Sequence, residues 1–302
     1  MDTTLAVLGV ASLGFIAKVL FQSYESLDDV ATAIPLLSSA LALIPAVSML
    51  IIKAMLHALV IEDTVGEKTD RPRIVASYAQ SQIIRYVPGK VWGIIYQSER
   101  IVDLIPRRVV WLGHFQQVLV TNLNGVGVIG AIFCFLLLDE FAAVIVAVGF
   151  LALTYLCISR SLFTALFQHR WFRSWAPEVP IRRPLHIRSL LEVTLLQLEW
   201  TAYFACWFLI APTFFTAPDT ILLGTCYAAA SLIGLMIMVM PSGWLVREAS
   251  FIWLAGLLGY ESDLLLLYGV VARLLFTIAD VLCAVVLLGY WRFLKRPQYR
   301  AA

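Results

Sequence analysis

Long apolar runs separated by short polar links dominate the chain. An α-helix needs about 20 apolar residues to cross ~30 Å of hydrocarbon, and runs of that order occupy 4–22, 33–60, 108–138, 141–159, 189–211, 220–240 and 264–290. A shorter run, 244–258, follows directly on a Pro-Ser-Gly break. The segment 74–96 is moderately apolar and interrupted at Pro88-Gly89, so it reads as two half-helices that enter and leave on one side. The expected fold is an all-α polytopic membrane protein of about eight transmembrane helices plus a re-entrant hairpin. It forms a single integral membrane domain over 1–302, with the hairpin 74–96 in a first half of about 1–140 and a helix break at 241–248 in the second, about 141–302. Within 108–138, Asn122-Leu123-Asn124-Gly125 is a place where one long helix can divide into two.

Composition supports this pattern. The chain is 61% hydrophobic and 14% charged, against about 25% charged residues in soluble domains. All five cysteines lie inside apolar runs, without a C-x-x-C pair, and read as small buried apolar residues rather than a disulfide framework. Residues 4–22 lack a basic leader and a small-residue cleavage pattern, so they read as a retained first span.

Charge placement sets the orientation. The links 23–32, 139–140, 212–219 and 259–263 contain no Lys or Arg, whereas 61–73, 97–108 and 160–188 hold twelve basic residues and the tail 292–302 four more. Basic links stay on the cytoplasmic side, which places both termini and the open end of the hairpin inside. The 160–188 link combines six arginines with Trp171, Phe172 and Trp175, a pattern suited to an anionic lipid surface or to recruiting a soluble partner.

Six basic residues remain in apolar territory: Lys18, Lys53, Arg85, Lys90, Arg247 and Arg273. Lys18 and Lys53 are expected to snorkel toward an interface. Arg85 and Lys90 flank the first break, and Arg247 and Glu248 follow the second. Breaking a helix in hydrocarbon frees backbone groups that cost several kcal/mol each if unpaired, and a charge at that depth costs roughly 2.5–3.5 kcal/mol on insertion scales. Arg273 and Asp280 share a helical face two turns apart, as do Glu192 and Glu199. At about 10.5 Å of rise, Arg273 and Asp280 are too distant to pair, so each is expected to face another helix. Either these charges pair structurally, or they line a polar cavity. Helix N-termini freed at the breaks would there present N–H donors to an anion. The two breaks fall in comparable places in the two halves, the pattern of an inverted repeat, although residue-level similarity between the halves is weak.

No zincin, nucleophile-elbow, Walker or dinucleotide-binding motif occurs, and the histidines His57, His114, His169 and His186 are scattered. No cofactor or nucleic-acid partner is expected. Glu99 and Asp103 are the carboxylates best placed for cytoplasmic catalysis, and both read as solvated link residues.

The two breaks also carry a resemblance. Arg85-Tyr86-Val87-Pro88-Gly89-Lys90-Val91-Trp92 and Pro241-Ser242-Gly243-Trp244-Leu245-Val246-Arg247-Glu248-Ala249 resemble the two signatures of the flippase-like family. This is the lysylphosphatidylglycerol synthase transmembrane-region family, which includes the membrane half of the multiple peptide resistance factor. The resemblance spans about residues 5–290. Ser242 and Trp244-Leu245 depart from the family's Pro-Gly-Gly-Leu-Gly, and the family's Glu-Arg pair is replaced inside 108–138 by Gln116-Gln117. The soluble aminoacyltransferase domain is missing from this sequence.

The resemblance implies an inner-membrane lipid translocase that handles a polar-headgroup phospholipid or a lipid-linked glycan. Its partners would be membrane lipids, anionic or sugar-bearing, and a soluble transferase through 160–188. The expected headgroup-binding set is Arg85, Tyr86, Pro88, Gly89, Lys90 and Trp92 at the first break and Pro241, Gly243, Arg247 and Glu248 at the second. Glu199, Arg273 and Asp280 are expected to balance charge within the membrane. The alternatives are a membrane subunit or enzyme of glycolipid or aminoacyl-lipid synthesis, and a scaffold that recruits a soluble transferase.

Overall fold

A computed structural model of the chain describes residues 36–66, 68–84, 91–158, 186–211, 215–236 and 246–295. The expected first span 4–22, residues 85–90 and 237–245 at the two breaks, and most of the 160–188 link lie outside the described residues. Those described form nine helices and no strand: α1 (Leu36–Val65), α2 (Arg71–Ile84), α3 (Trp92–Arg100), α4 (Arg107–Leu137), α5 (Glu140–Ile158), α6 (His186–Ile210), α7 (Ala217–Met236), α8 (Val246–Gly256) and α9 (Ser262–Lys295). Five of them, α1, α4, α6, α7 and α9, are long and apolar enough to cross a membrane, with α5 as a shorter apolar helix. The Asn122-Leu123-Asn124-Gly125 stretch does not divide its helix. Asn122 donates from Nδ2 to Val118 O at 2.7 Å, and α4 runs unbroken past it.

Polarity is inverted relative to a soluble bundle. Large apolar side chains point outward, with Phe141, Val144, Ile145 and Val148 of α5 each more than half exposed. Polar and charged side chains such as His57, Gln97, His114, Gln117, Glu199, Arg273 and Asp280 are buried inside. An apolar exterior of this extent matches a lipid solvent. The main core joins α1, α2, α6, α7, α8 and α9 through small residues, including Ala42, Ala46, Ala76, Ala79, Ala230, Ala255, Ala272 and Ala279, around Trp207, Tyr227, Phe251 and Tyr268. Small residues let helix backbones approach where no hydrophobic effect drives association.

Helix directions follow from contacts. On α1 and α6, Leu56 packs with Val193 and Leu196, Lys53 meets Glu199, and Ala42 O accepts from Cys206 Sγ, so the two helices are antiparallel. Helices α2 and α3 form an antiparallel hairpin. Gln97 donates to Ser77 Oγ at 3.4 Å, Tyr96 donates to Gln80 Oε1 at 2.8 Å, and Arg73 donates to Arg100 O at 3.0 Å. Gly93 permits the closest approach, because a Cβ there would lie 2.8 Å from Ser81 O.

Ion pairs gather the ends of four helices. Arg71 makes a fork with Glu62 at 2.6 and 2.7 Å, Arg73 reaches Asp103 at 2.7 Å, and Arg107 reaches Glu99 at 2.7 Å. The close of α1, both ends of the hairpin and the start of α4 therefore lie together, and Arg100 over the Trp291 ring brings α9's far end to them. Two of the acidic links, 212–219 and 259–263, meet at the opposite end, where Tyr260 donates to Asp219 Oδ1 at 2.6 Å. Thr216 and Asp219 cap α7 there reciprocally through Thr216 N to Asp219 Oδ2 and Asp219 N to Thr216 Oγ1. Gly259, at φ +90°, lets the chain leave α8 with Tyr260 N bonded to Ala255 O.

Two lengths matter for the site. At 1.5 Å per residue, α2 is about 21 Å long over its 14 residues and α8 about 16 Å over its 11. Each is shorter than the ~30 Å of hydrocarbon. The end of α2 and the start of α8 thus both lie inside the bundle. Arg247, on the first turn of α8, lies there too.

Candidate functional site

A cavity of about 360 Å³ opens where these interrupted elements end. It is lined by Lys53 of α1, Tyr78, Ser81 and Gln82 of α2, Gly93 and Ile94 of α3, and His114, Gln117, Thr121 and Asn122 of α4. Ser231, Gly234 and Leu235 of α7, Arg247 of α8, and Arg273, Phe276 and Thr277 of α9 complete it. Thr121 lies near the middle of the 31-residue α4, and Lys53 stands twelve residues, about 18 Å of rise, before the end of α1. The cavity is therefore at mid-depth of the long helices. The described residues on both sides of each break contribute to its wall.

Two charge clusters border it. Lys53 Nζ lies 2.9 Å from Glu199 Oε1, with Glu199's side chain 8% exposed. Snorkelling is thus corrected for Lys53: its ammonium turns into the bundle, because a buried carboxylate on the neighbouring helix needs a cation. Glu248 serves two guanidiniums through one oxygen, accepting from Arg273 Nη1 at 2.8 Å and from Arg247 Nη2 at 3.1 Å. Arg247 also lies over the Tyr227 ring, 5.1 Å from its centroid, where the ring face stabilises the cation. Neighbours on a helix point about 100° apart, yet the length of these two side chains lets Arg247 and Glu248 meet. Arg273 finds its partner on another helix, as its spacing from Asp280 required.

A second polar group sits behind the first. His57 and His114 rings are 4.3 Å apart, and Tyr78 stacks on His57 at 4.5 Å. His57 Nδ1 donates to Gln117 Oε1 at 2.7 Å, and Gln117 Nε2 donates to Lys53 O at 3.0 Å. His114 Nε2 contacts Gln97 Oε1, and Gln97 passes the chain on to Ser77. The helical interior is thereby tied to the hairpin by hydrogen bonds, the alternative being unpaired polar groups in an apolar medium.

Of the residues picked from sequence, Arg247 and Arg273 line the cavity, Glu248 binds both, and Glu199 reaches it through Lys53. Trp92 and Asp280 are not among its lining residues, and Asp280 is buried further along α9. Arg85, Tyr86, Pro88, Gly89, Lys90, Pro241 and Gly243 lie outside the described residues. Glu99 and Asp103 are engaged by Arg107 and Arg73. Sequence reasoning passed over Lys53, His57, His114, Gln117 and Thr121. A signal was present: Lys53 and His57 are spaced i, i+4, and His114, Gln117, Thr121 and Asn124 form a polar stripe at helical spacing on an apolar helix. Among the described residues no group of three or more His, Cys, Asp or Glu is arranged to hold a metal ion. No protein-family model matches the chain, and no curated protein matches it.

Proposed function

We propose that the chain is a flippase-like lipid translocase, kin to the lysylphosphatidylglycerol synthase transmembrane-region family. It takes the polar headgroup of a phospholipid or lipid-linked glycan into the mid-depth cavity while the tails remain in the bilayer. The observation that carries this reading is the convergence of Lys53, Arg247 and Arg273 on one cavity at the middle of apolar helices. Charges are expensive at that depth and mark substrate paths, and a binding site between interrupted helices is how transporters meet that cost. In this reading the protein has about eight spans in the bacterial inner membrane, both termini are cytoplasmic, and α2 and α3 form a re-entrant hairpin from the basic side. Arg85 and Lys90 join Arg247 at the headgroup, and Glu199, Glu248 and Arg273 balance charge as access alternates.

Movement of a fluorescent headgroup-labelled lipid across reconstituted vesicles tests the proposal. The wild-type chain is expected to accelerate it, and Arg247→Ala and Arg85→Ala to slow it by tenfold or more. Equal rates in all three proteins would remove the site assignment.

A further inference from the structure

We infer that His57 and His114 together bind one proton, taken from the cavity, and that this proton couples the alternation of the bundle to pH. The proton site stands on its own geometry, and the coupling rests on the reading of the cavity as a lipid-translocation site.

Two amides fix the protonation of the rings. Gln117 donates from Nε2 to Lys53 O at 3.0 Å, an atom that only accepts, so its Oε1 is the atom that faces His57 Nδ1 at 2.7 Å. Ser77 spends its own proton on Ile74 O at 2.8 Å. Its oxygen therefore receives Gln97 Nε2 at 3.4 Å, and Gln97 Oε1 faces His114 Nε2. A ring nitrogen that meets an amide oxygen must carry a proton, and a neutral imidazole has one donor and one acceptor. His57 Nε2 and His114 Nδ1 are left as bases. His57 Nε2 is buried and makes no hydrogen bond among the described residues. The rings are 4.3 Å apart, with His114 on the cavity wall and His57 behind it. Two basic nitrogens on neighbouring rings, one ring open to the cavity, make a place for a proton.

The step is an acid–base transfer. A hydronium ion in the cavity gives its proton to the His114 Nδ1 lone pair. An N–H bond forms, an O–H bond breaks, water remains and the ring becomes an imidazolium. Tyr78 presents its ring to both histidines, at 4.5 Å from His57 and 5.7 Å from His114, and a ring face attracts a cation. A second proton would set two imidazoliums ring against ring, where a lowered dielectric makes their repulsion costly.

The groups around the pair give the proton its effect. Lys53 on α1 is held by Glu199 of α6, and buried Glu192 shares the Glu199 face of α6. Arg247 of α8 and Arg273 of α9 stand on the cavity wall, with Glu248 between them. Tyr78 is the titratable group from α2, and α3 and α7 bring none to the wall. Among the described residues neither ring is paired with a carboxylate. A charge without a partner is costly in an apolar interior. The described arrangement is therefore the neutral one, and a proton favours an arrangement in which water reaches the rings. His114 is bonded to Gln97 of α3 and His57 is stacked on Tyr78 of α2, so that change moves the hairpin against α1 and α4. A ligand that binds one arrangement better shifts the population toward it, and here the ligand is the proton.

The experiment has two arms, both on the full chain in phosphatidylcholine bilayers. The first is nitrogen-15 NMR of histidine-labelled protein between about pH 8 and pH 5, with His57→Gln and His114→Gln to assign the signals. At the upper pH, His57 is expected as the Nδ1–H tautomer and His114 as the Nε2–H tautomer. Toward the lower pH the pair is expected to gain one proton in total. Two rings that stay neutral throughout, or two that both charge fully, overturn the proton site. The second arm follows headgroup-labelled phosphatidylglycerol across vesicles with and without a gradient of about two pH units. The gradient is expected to change the rate of movement at least fivefold, and the His57→Gln, His114→Gln double variant to lose that dependence. Equal wild-type rates with and without the gradient overturn the coupling and leave the lipid reading standing. A one-proton titration in a chain that moves no lipid supports the proton site and overturns the lipid reading. The wild-type measurements decide the matter even if a variant fails to fold.

Discussion

Lys53 and Glu199 form an ion pair at 2.9 Å between the middles of α1 and α6. Each is the other's reason for lying inside the bundle. The pair also explains why Lys53, which reads from sequence as a snorkelling side chain, lines the cavity instead.

Removing one member should therefore cost more than removing both. Breaking a fully buried pair costs roughly 3–5 kcal/mol. Because Lys53's side chain is 24% exposed, Lys53→Ala is expected to cost about 2 kcal/mol, less than that range. Adding Glu199→Gln should recover most of the loss. Thermal unfolding of the two single variants and the double variant in detergent measures this, and additive losses would show that the pair is not coupled.

Glu248 holds Arg247 and Arg273 with one oxygen, so its charge competes with an anionic headgroup for both guanidiniums. Glu248→Gln is expected to tighten binding of an anionic phospholipid at least severalfold and to lower thermal stability, because both guanidiniums lose the carboxylate they share. Weaker binding in this variant would place Glu248 on the side of the ligand rather than against it.

Gly93 is where α3 meets α2. A methyl group there would stand 2.8 Å from Ser81 O, closer than real Cβ contacts allow. Gly93→Ala is expected to push the hairpin apart at a cost of about 1–3 kcal/mol, the range for overpacked sites. Hydrogen exchange of 71–84 and 92–100 should rise in this variant, while Gly289→Ala, which meets nothing within 4 Å, should leave exchange unchanged.

Tyr260 and Asp219 tie two acidic links together at 2.6 Å. Burial first, and then the carboxylate beside it, hold the Tyr260 phenol above its ordinary range. A raised phenol favours the folded state at pH values below the unfolded tyrosine pKa, and that contribution is lost as pH rises through the folded value. No change is therefore expected between pH 6 and 9. Above about pH 10, the wild type should lose stability that Tyr260→Phe does not lose. Ultraviolet titration of the wild type against Tyr260→Phe should isolate the late ionisation of this phenol, and Asp219→Asn should move it earlier.

The two-ended arrangement of links predicts a sided labelling pattern. In a background without the native cysteines, single cysteines at Lys68 and Arg108 should react with a membrane-impermeant maleimide only in inside-out vesicles. Cysteines at Asp139 and Glu261 should react only in right-side-out cells. Reaction of both sets from one side would contradict the proposed orientation.

The all-helical class, the long apolar helices and, among the described residues, the separation of the basic links 61–73 and 97–108 from the acidic links 212–219 and 259–263 were legible in the chain, because run length and link composition answer directly to bilayer thickness and to the placement of charge. Spacing alone also showed that Arg273 needs a partner on another helix. The sequence by itself did not determine which partner. That choice depends on how helices pack: α8 sits beside α9, so Glu248 is within reach of Arg273, and α1 lies antiparallel to α6, so Lys53 meets Glu199. The scattered histidines are the same case. His57 and His114 are 57 positions apart in the chain, and their rings stand 4.3 Å apart because α1 and α4 pack together. Linear spacing reports on one helix face at a time, whereas a cavity is made by side chains from several helices, and only the tertiary structure brings those together.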